Sequence, residues 1–167
     1  NLKTCIIGEG VEYFGKDSFL RCYKLTNLTF PKSTKSINPN AFSYCYDLQS
    51  IIIPEKTTSI YHSAFGYCSG LKSVTFFSES IYIDYYVFLK CTILESVVFY
   101  GNISFIDDEA FLSCPKMSSL VYYGSSIPTN CNGLCKGTLV EIVNVTVRYK
   151  SDNFCQIPVT IFELPPT

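Results

Sequence analysis

Nine cysteines, one histidine and a short acidic run are the reactive side chains that stand out in this chain of 167 residues. Five of the thiols, Cys22, Cys45, Cys68, Cys91 and Cys114, recur every 23 residues (45 − 22, 68 − 45, 91 − 68, 114 − 91). Cysteine clusters bind metals or do redox work, but a zinc site needs four ligands converging on one point at about 2.3 Å, typically from paired Cys-x-x-Cys knuckles. Thiols at a strict repeat instead point the same way from successive units. The ladder therefore reads as structural, each rung filling a small core niche and offering a weak S–H donor to loop backbone. A bridge between rungs would also need facing Cβ vectors, so the ladder is expected to stay reduced.

Cys5, Cys131, Cys135 and Cys155 lie off the ladder. The spacing Cys131-Asn-Gly-Leu-Cys135 is not the redox Cys-x-x-Cys. A disulfide among Cys131, Cys135 and Cys155, bracing the C-terminal end, is expected if the chain is secreted. His62 is the only histidine, and it aligns by the period with Pro39, Tyr85 and Asp108, so it reads as a solvent-facing turn residue. Asp107-Asp108-Glu109 reads as the capped start of a helical turn. No catalytic, cofactor or metal site is expected, and the chain is read as not an enzyme.

The elements that must carry the thiols follow the same period. Phe19, Phe42, Phe65, Phe88 and Phe111 recur at 23 residues, three places before each thiol. Self-similarity at about 20–29 residues is the signature of a leucine-rich-repeat solenoid, whose units contact only their neighbours. Five inward sets are predicted on strands: Leu25/Leu28/Phe30, Leu48/Ile51/Ile53, Leu71/Val74/Phe76, Leu94/Val97/Phe99 and Met117/Leu120/Tyr122. Their last two members are two residues apart, the strand period. Another apolar rung falls at Ile37, Ile60, Ile83 and Ile106. The segments leading into Phe42, Phe65 and Phe111 carry the caps and small residues of a short helix or 3-10 turn. The expected fold is thus an α/β repeat solenoid, a right-handed superhelix rich in strands with short helical turns, about seven coils long. It forms one domain over residues 1–167: a divergent opening coil at 1–24, regular repeats at 25–123 and a C-terminal cap at 124–167. In the cap a closing strand is expected from Val143 to Tyr149, and Pro165-Pro166 reads as an exit into a tail.

With 47% hydrophobic and 16% charged residues the chain has material for a continuous core and none of the marks of disorder. Its net charge of −1 is scattered, and without a Lys/Arg run nucleic acid is not an expected partner. The longest apolar runs stop well short of the roughly 18 residues of a membrane span, so membrane insertion of this segment is not expected. A start at Asn1 with no signal-peptide pattern reads as a processed or excised piece of something longer.

The unit Leu-x-x-Ile-x-Ile-Pro-x-x-x-x-x-Ile-x-x-x-Ala-Phe-x-x-Cys-x-x, best kept over residues 48–70, closely resembles the BspA-like leucine-rich repeat, a 23-residue type known from surface proteins of bacteria and protozoa. The closing Tyr149-Lys-Ser-Asp-Asn-Phe-Cys-Gln-Ile-Pro-Val is similar to the cap of protozoan members. Phe77, Tyr100 and Tyr123 stand where the family often has Pro, and Val87 stands for Ala. The resemblance implies a cell-surface or secreted adhesin that attaches to host matrix proteins, host cells or other microbes, with glycans as a second class of partner. The alternative is an intracellular scaffold for protein–protein interaction. Three sequons, at Asn27, Asn102 and Asn144, fit the secretory route and would make the chain a glycoprotein.

On the outward side of the strands, Ser50, Ile52 and Pro54 align with Ser73, Thr75 and Phe77, with Ser96, Val98 and Tyr100, and with Ser119, Val121 and Tyr123. They form a Ser column, a β-branched column and a partly aromatic ridge. Rigid aromatics beside small hydroxyls suit protein recognition, because they give large contact area at low entropy cost. The competing reading is that Phe77, Tyr100 and Tyr123 shield strand ends. Tyr44, Tyr46, Tyr67, Tyr85 and Tyr86 on the opposite turns form a rival surface.

Overall fold

The computed structural model describes residues 2–126, 128, 131, 134–140, 143–146 and 153–162. Three hydrogen-bonded ladders run along it. The first carries the predicted strand positions: β1 (Thr4–Cys5), β3 (Asn27–Leu28), β5 (Ser50–Ile53), β7 (Ser73–Phe76), β9 (Ser96–Phe99), β11 (Ser119–Tyr122) and β12 (Val143–Thr146). Pairing is parallel and one period apart, Val74 lying beside Ile51 and Val97. The ladder falls into two sheets, β1-β3 and one in which β12, β11, β9, β7 and β5 lie side by side in that order.

The inward residues expected at all five levels, from Leu25 to Tyr122, are buried, as are the rungs Ile37, Ile60, Ile83 and Ile106. Phe19, Phe42, Phe65, Phe88 and Phe111 stack as a column with ring centroids 5.0–5.6 Å apart and near-parallel planes. That separation lies within the favourable range for aromatic pairs.

The second ladder goes beyond the sequence reading. The rungs at Ile37 and its successors are one face of a parallel sheet made of β2 (Tyr13–Phe14), β4 (Ser36–Ile37), β6 (Ser59–Ile60), β8 (Ser80–Ile83) and β10 (Asn102–Ile106). In β10 the register shifts between Ile103 and Phe105, which leaves Ser104 exposed while Ile103 stays inward beside Ile81. Gly101 precedes this bulge because a Cβ there would run into the carbonyl of Ser78.

The third ladder corrects the expectation of helical turns and with it the α/β class: among the described residues there is no helix, α or 3-10. The cause is a pair of left-handed residues per coil, Asn40 (φ 55) and Tyr44 (φ 62), repeated as Ser63 and Tyr67 and as Tyr86 and Lys90. Between them amides alternate in direction. Ala41, Ser43 and Cys45 donate three residues back, whereas Asn40, Phe42 and Tyr44 donate to His62, Ala64 and Gly66 of the next coil. A helix would turn every amide along its own axis, so the segment becomes a chain of turns that pairs like a strand. The expected cap survives in that setting, since Asp107 Oδ1 accepts from Glu109 N at 2.9 Å.

The expected seven coils become about six turns, because the seven strand levels from β1 to β12 enclose six intervals. At the C-terminal end β13 (Asn153–Phe154) and β14 (Ile157–Phe162) form an antiparallel pair, and β14 also lies parallel to β12. Phe154 closes the core, its ring 4.9 Å from that of Tyr122. The expected strand end at Tyr149 and the exit at Pro165-Pro166 lie outside the described residues.

Candidate partner-binding surface

The thiol ladder is held by the turns. From the second rung on, each Sγ donates to the carbonyl of the Phe of the preceding coil: Cys45 to Phe19 at 3.5 Å, Cys68 to Phe42 at 3.2 Å, Cys91 to Phe65 at 3.4 Å and Cys114 to Phe88 at 3.1 Å. Burial pushes Cys45 up to about 12, with the neighbouring Cys22 adding to the effect. Burial likewise raises Cys68 and Cys91 well above the ordinary thiol range. Thiols held protonated are poor nucleophiles and poor metal ligands. At the far end a disulfide joins Cys131 to Cys155, with Cα atoms 5.0 Å apart. Cys135 remains a thiol, raised by burial to about 11.

His62 is half-buried rather than free in solvent, its ring stacked on Tyr85 at 5.0 Å with planes 2° apart. The carboxyl group of Asp107 is raised chiefly by burial, against which its bond from Glu109 N works. Among the described residues no group of three or more His, Cys, Asp or Glu side chains is placed to hold a metal ion.

The outward set of the first ladder forms one continuous face. Strand alternation turns Ser50, Ile52, Ser73, Thr75, Ser96, Val98, Ser119 and Val121 away from the core, and each is exposed or half-exposed. Just past the strand ends, Phe77 lies against Tyr100 at 4.7 Å and Tyr100 against Tyr123 at 4.8 Å, with planes within 5°. Phe77 keeps 46% of its surface exposed and Tyr100 47%. The amides of these three residues are fixed from beneath by bonds to Ile53, Phe76 and Phe99 at 2.8–2.9 Å. The ridge is therefore preorganised.

The opposite turns carry a different column. Arg21 and Lys90 lie over the rings of Tyr44 and Tyr67, which stack on each other at 4.5 Å. All four are left-handed residues at the same place in successive coils. Their rings are covered at both ends by cations, an arrangement that satisfies them within the chain. This leaves the sheet-side ridge as the better candidate.

Of the sequon asparagines, Asn27 and Asn144 are exposed on outward strand positions. Asn102 is half-buried, and its Oδ1 accepts from Ser125 N at 2.9 Å and Ser126 Oγ at 3.2 Å.

Residues 1–118 match, in six copies, a family model described as BspA type leucine rich repeat region. A leucine-rich repeat protein from Bacteroides ovatus, solved by crystallography, is similar at a TM-score of 0.35 and 20% identity, over 98% of this chain and 61% of that one. The chain thus spans about three-fifths of that protein's length. A comparison with curated proteins matches none of them.

Proposed function

The chain belongs to the BspA-type leucine-rich repeat family, and on that premise we propose that it is a non-enzymatic binding module, displayed at a cell surface or secreted, that attaches to a protein through the sheet face of the solenoid. The observation that carries the reading is the ridge of Phe77, Tyr100 and Tyr123, stacked and anchored, with Phe77 and Tyr100 exposed and Tyr123 half-exposed beside small hydroxyl residues. Exposed aromatics held rigid contribute contact area without the entropy loss of ordering on binding. The partner class is a host matrix or cell-surface protein, with glycans second.

Support for the extracellular setting comes from the Cys131–Cys155 disulfide and from the exposed sequons at Asn27 and Asn144. A scaffold working inside a cell is the second reading, favoured by the seven cysteines that remain thiols. Glycan occupancy at Asn27 and Asn144 in the native organism separates the two. Alanine at Phe77 and Tyr100, which removes ridge rings while leaving the inward residues intact, tests the binding face itself.

A further inference from the structure

The first ladder is broken at one place. No hydrogen bond joins residues 27–30 to residues 50–53, although β3 pairs with β1 and β5 pairs with β7. Elsewhere the backbone crosses just before each strand, from Thr26 N to Lys3 O, Lys72 N to Gln49 O and Glu95 N to Lys72 O. Gln49 makes no such bond to Thr26, and the crossing ahead of this pair lies two residues earlier, from Asp47 N to Tyr23 O at 3.2 Å. Just after each strand, the bonds made by Phe77, Tyr100 and Tyr123 cannot be matched by Pro54, which has no amide.

The break is local. Behind it the same two coils are joined by Thr58 N to Lys35 O, by β4 against β6, and by the turn bonds from Asn40, Phe42 and Tyr44. On the sheet face alone they part, leaving a groove of about 900 Å³ walled by residues 27–30 on one side and by Ser50, Ile52 and Pro54 on the other, with Phe77 reaching it from the strand beyond. Leu28 and Phe30 at its floor keep 8% and 6% exposure where the matching Val74 and Phe76 keep 1% each.

Both walls are strand edges, and this specifies the occupant. Just past β7 the amide of Phe77 turns toward β5, so by strand alternation the amides of Ser50 and Ile52, one period earlier, turn into the groove. An extended backbone is the chemistry that pairs with two such edges at once. Ile52, 58% exposed, offers an apolar contact midway. Lys32 and Lys56, neither in an ion pair, stand at the end toward which both walls run, against the single acid Glu55. A strand laid parallel to the walls would bring its C-terminal end to these lysines.

We propose that the groove between β3 and β5 takes an extended acidic peptide of a partner protein as an inserted strand, completing the ladder. The proposal rests on the reading of the sheet face as protein-binding and adds the form in which the partner enters. The test is fluorescence polarisation of the intact chain with a labelled pool of heptapeptides that alternate apolar and hydroxyl residues and end in Glu-Glu. Saturable binding is expected, weakened tenfold or more by N-methylation of alternate peptide amides, which removes donors but keeps side chains and charge. Lys32→Glu with Lys56→Glu, at unchanged melting temperature, is expected to weaken binding as much and to shift preference to peptides ending in Lys-Lys. No binding, equal binding of the N-methylated pool, or indifference to the lysine changes would overturn the proposal. So would a dimer in sedimentation that the peptides do not dissociate, since the groove would then hold a second copy. Tyr100→Ala with Tyr123→Ala lies away from the groove. If the peptides fail while that variant still loses attachment to a whole partner, the groove falls and the sheet-face reading stands.

Discussion

The thiol of Cys68 donates to the carbonyl of Phe42, 3.2 Å away and 26 residues earlier. One residue type thus does two jobs in each coil: it fills the space behind the Phe column and satisfies a carbonyl that the left-handed turn directs inward. A metal site or redox couple would need these sulfurs to converge or be deprotonated, and the turns prevent both.

From this follows a pattern of reactivity. In native protein at pH 8, iodoacetamide should leave Cys45, Cys68 and Cys91 unmodified, because burial raises their pKa values. In urea without reductant, seven cysteines should be alkylated, leaving only Cys131 and Cys155. Mass spectrometry showing unalkylated ladder cysteines in urea would mean that the ladder is bridged. The linkage has a definite sign. Thiols whose folded values lie above the ordinary 9.0 stabilise the fold fully below that pH, and the contribution is lost as pH rises toward values such as the 12 of Cys45.

Phe65 stacks between Phe42 and Phe88 and is fully buried. Phe65→Ala should cost about 3–5 kcal/mol, as for other large aromatic truncations in a core. Urea denaturation monitored by circular dichroism measures it; a loss below about 1 kcal/mol would mean that the column is not the core.

The left-handed residues predict a gain. Ser113 has φ 62 and is exposed. A left-handed conformation costs an L-residue about 1–2 kcal/mol, and glycine gives back part of that gain through its greater freedom when unfolded. Ser113→Gly should therefore stabilise by roughly 0.5 kcal/mol. A decrease in melting temperature would show that the turn geometry is different.

The Cys131–Cys155 bridge spans 24 residues. Chain-entropy reasoning gives a loop of this size about 3 kcal/mol of stabilisation. The double variant Cys131→Ser with Cys155→Ser should lose about that much in urea denaturation, with hydrogen exchange faster in β12 and β14 but little changed in β5 and β7.

The period itself was legible because two chemically distinct residues, Phe and Cys, mark it three places apart in five successive coils, from Phe19 and Cys22 to Phe111 and Cys114. Burial of Leu71, Val74 and Phe76 could be read from alternation. The second sheet could not, because strands such as Ser36–Ile37 are two residues long and present one inward side chain each, too little for a period of 2. The third ladder was hidden for another reason: Tyr44 and Tyr67 are not residues that usually adopt positive φ, and only bonds to the next coil hold them there. The break beside β5 had a partial signal in Pro54, which removes one ladder bond. That the bond from Gln49 to Thr26 is also missing is a matter of coil packing, to which no residue pattern pointed.

Attachment of the sheet face to a protein through its aromatic ridge is measured by biolayer interferometry of wild type and of Phe77→Ala with Tyr100→Ala, on immobilised host matrix proteins and host cells. Attachment should weaken on the order of tenfold or more, as for buried aromatic hot spots, with a melting temperature within a few degrees of wild type. Unchanged affinity in a variant that remains folded would contradict it.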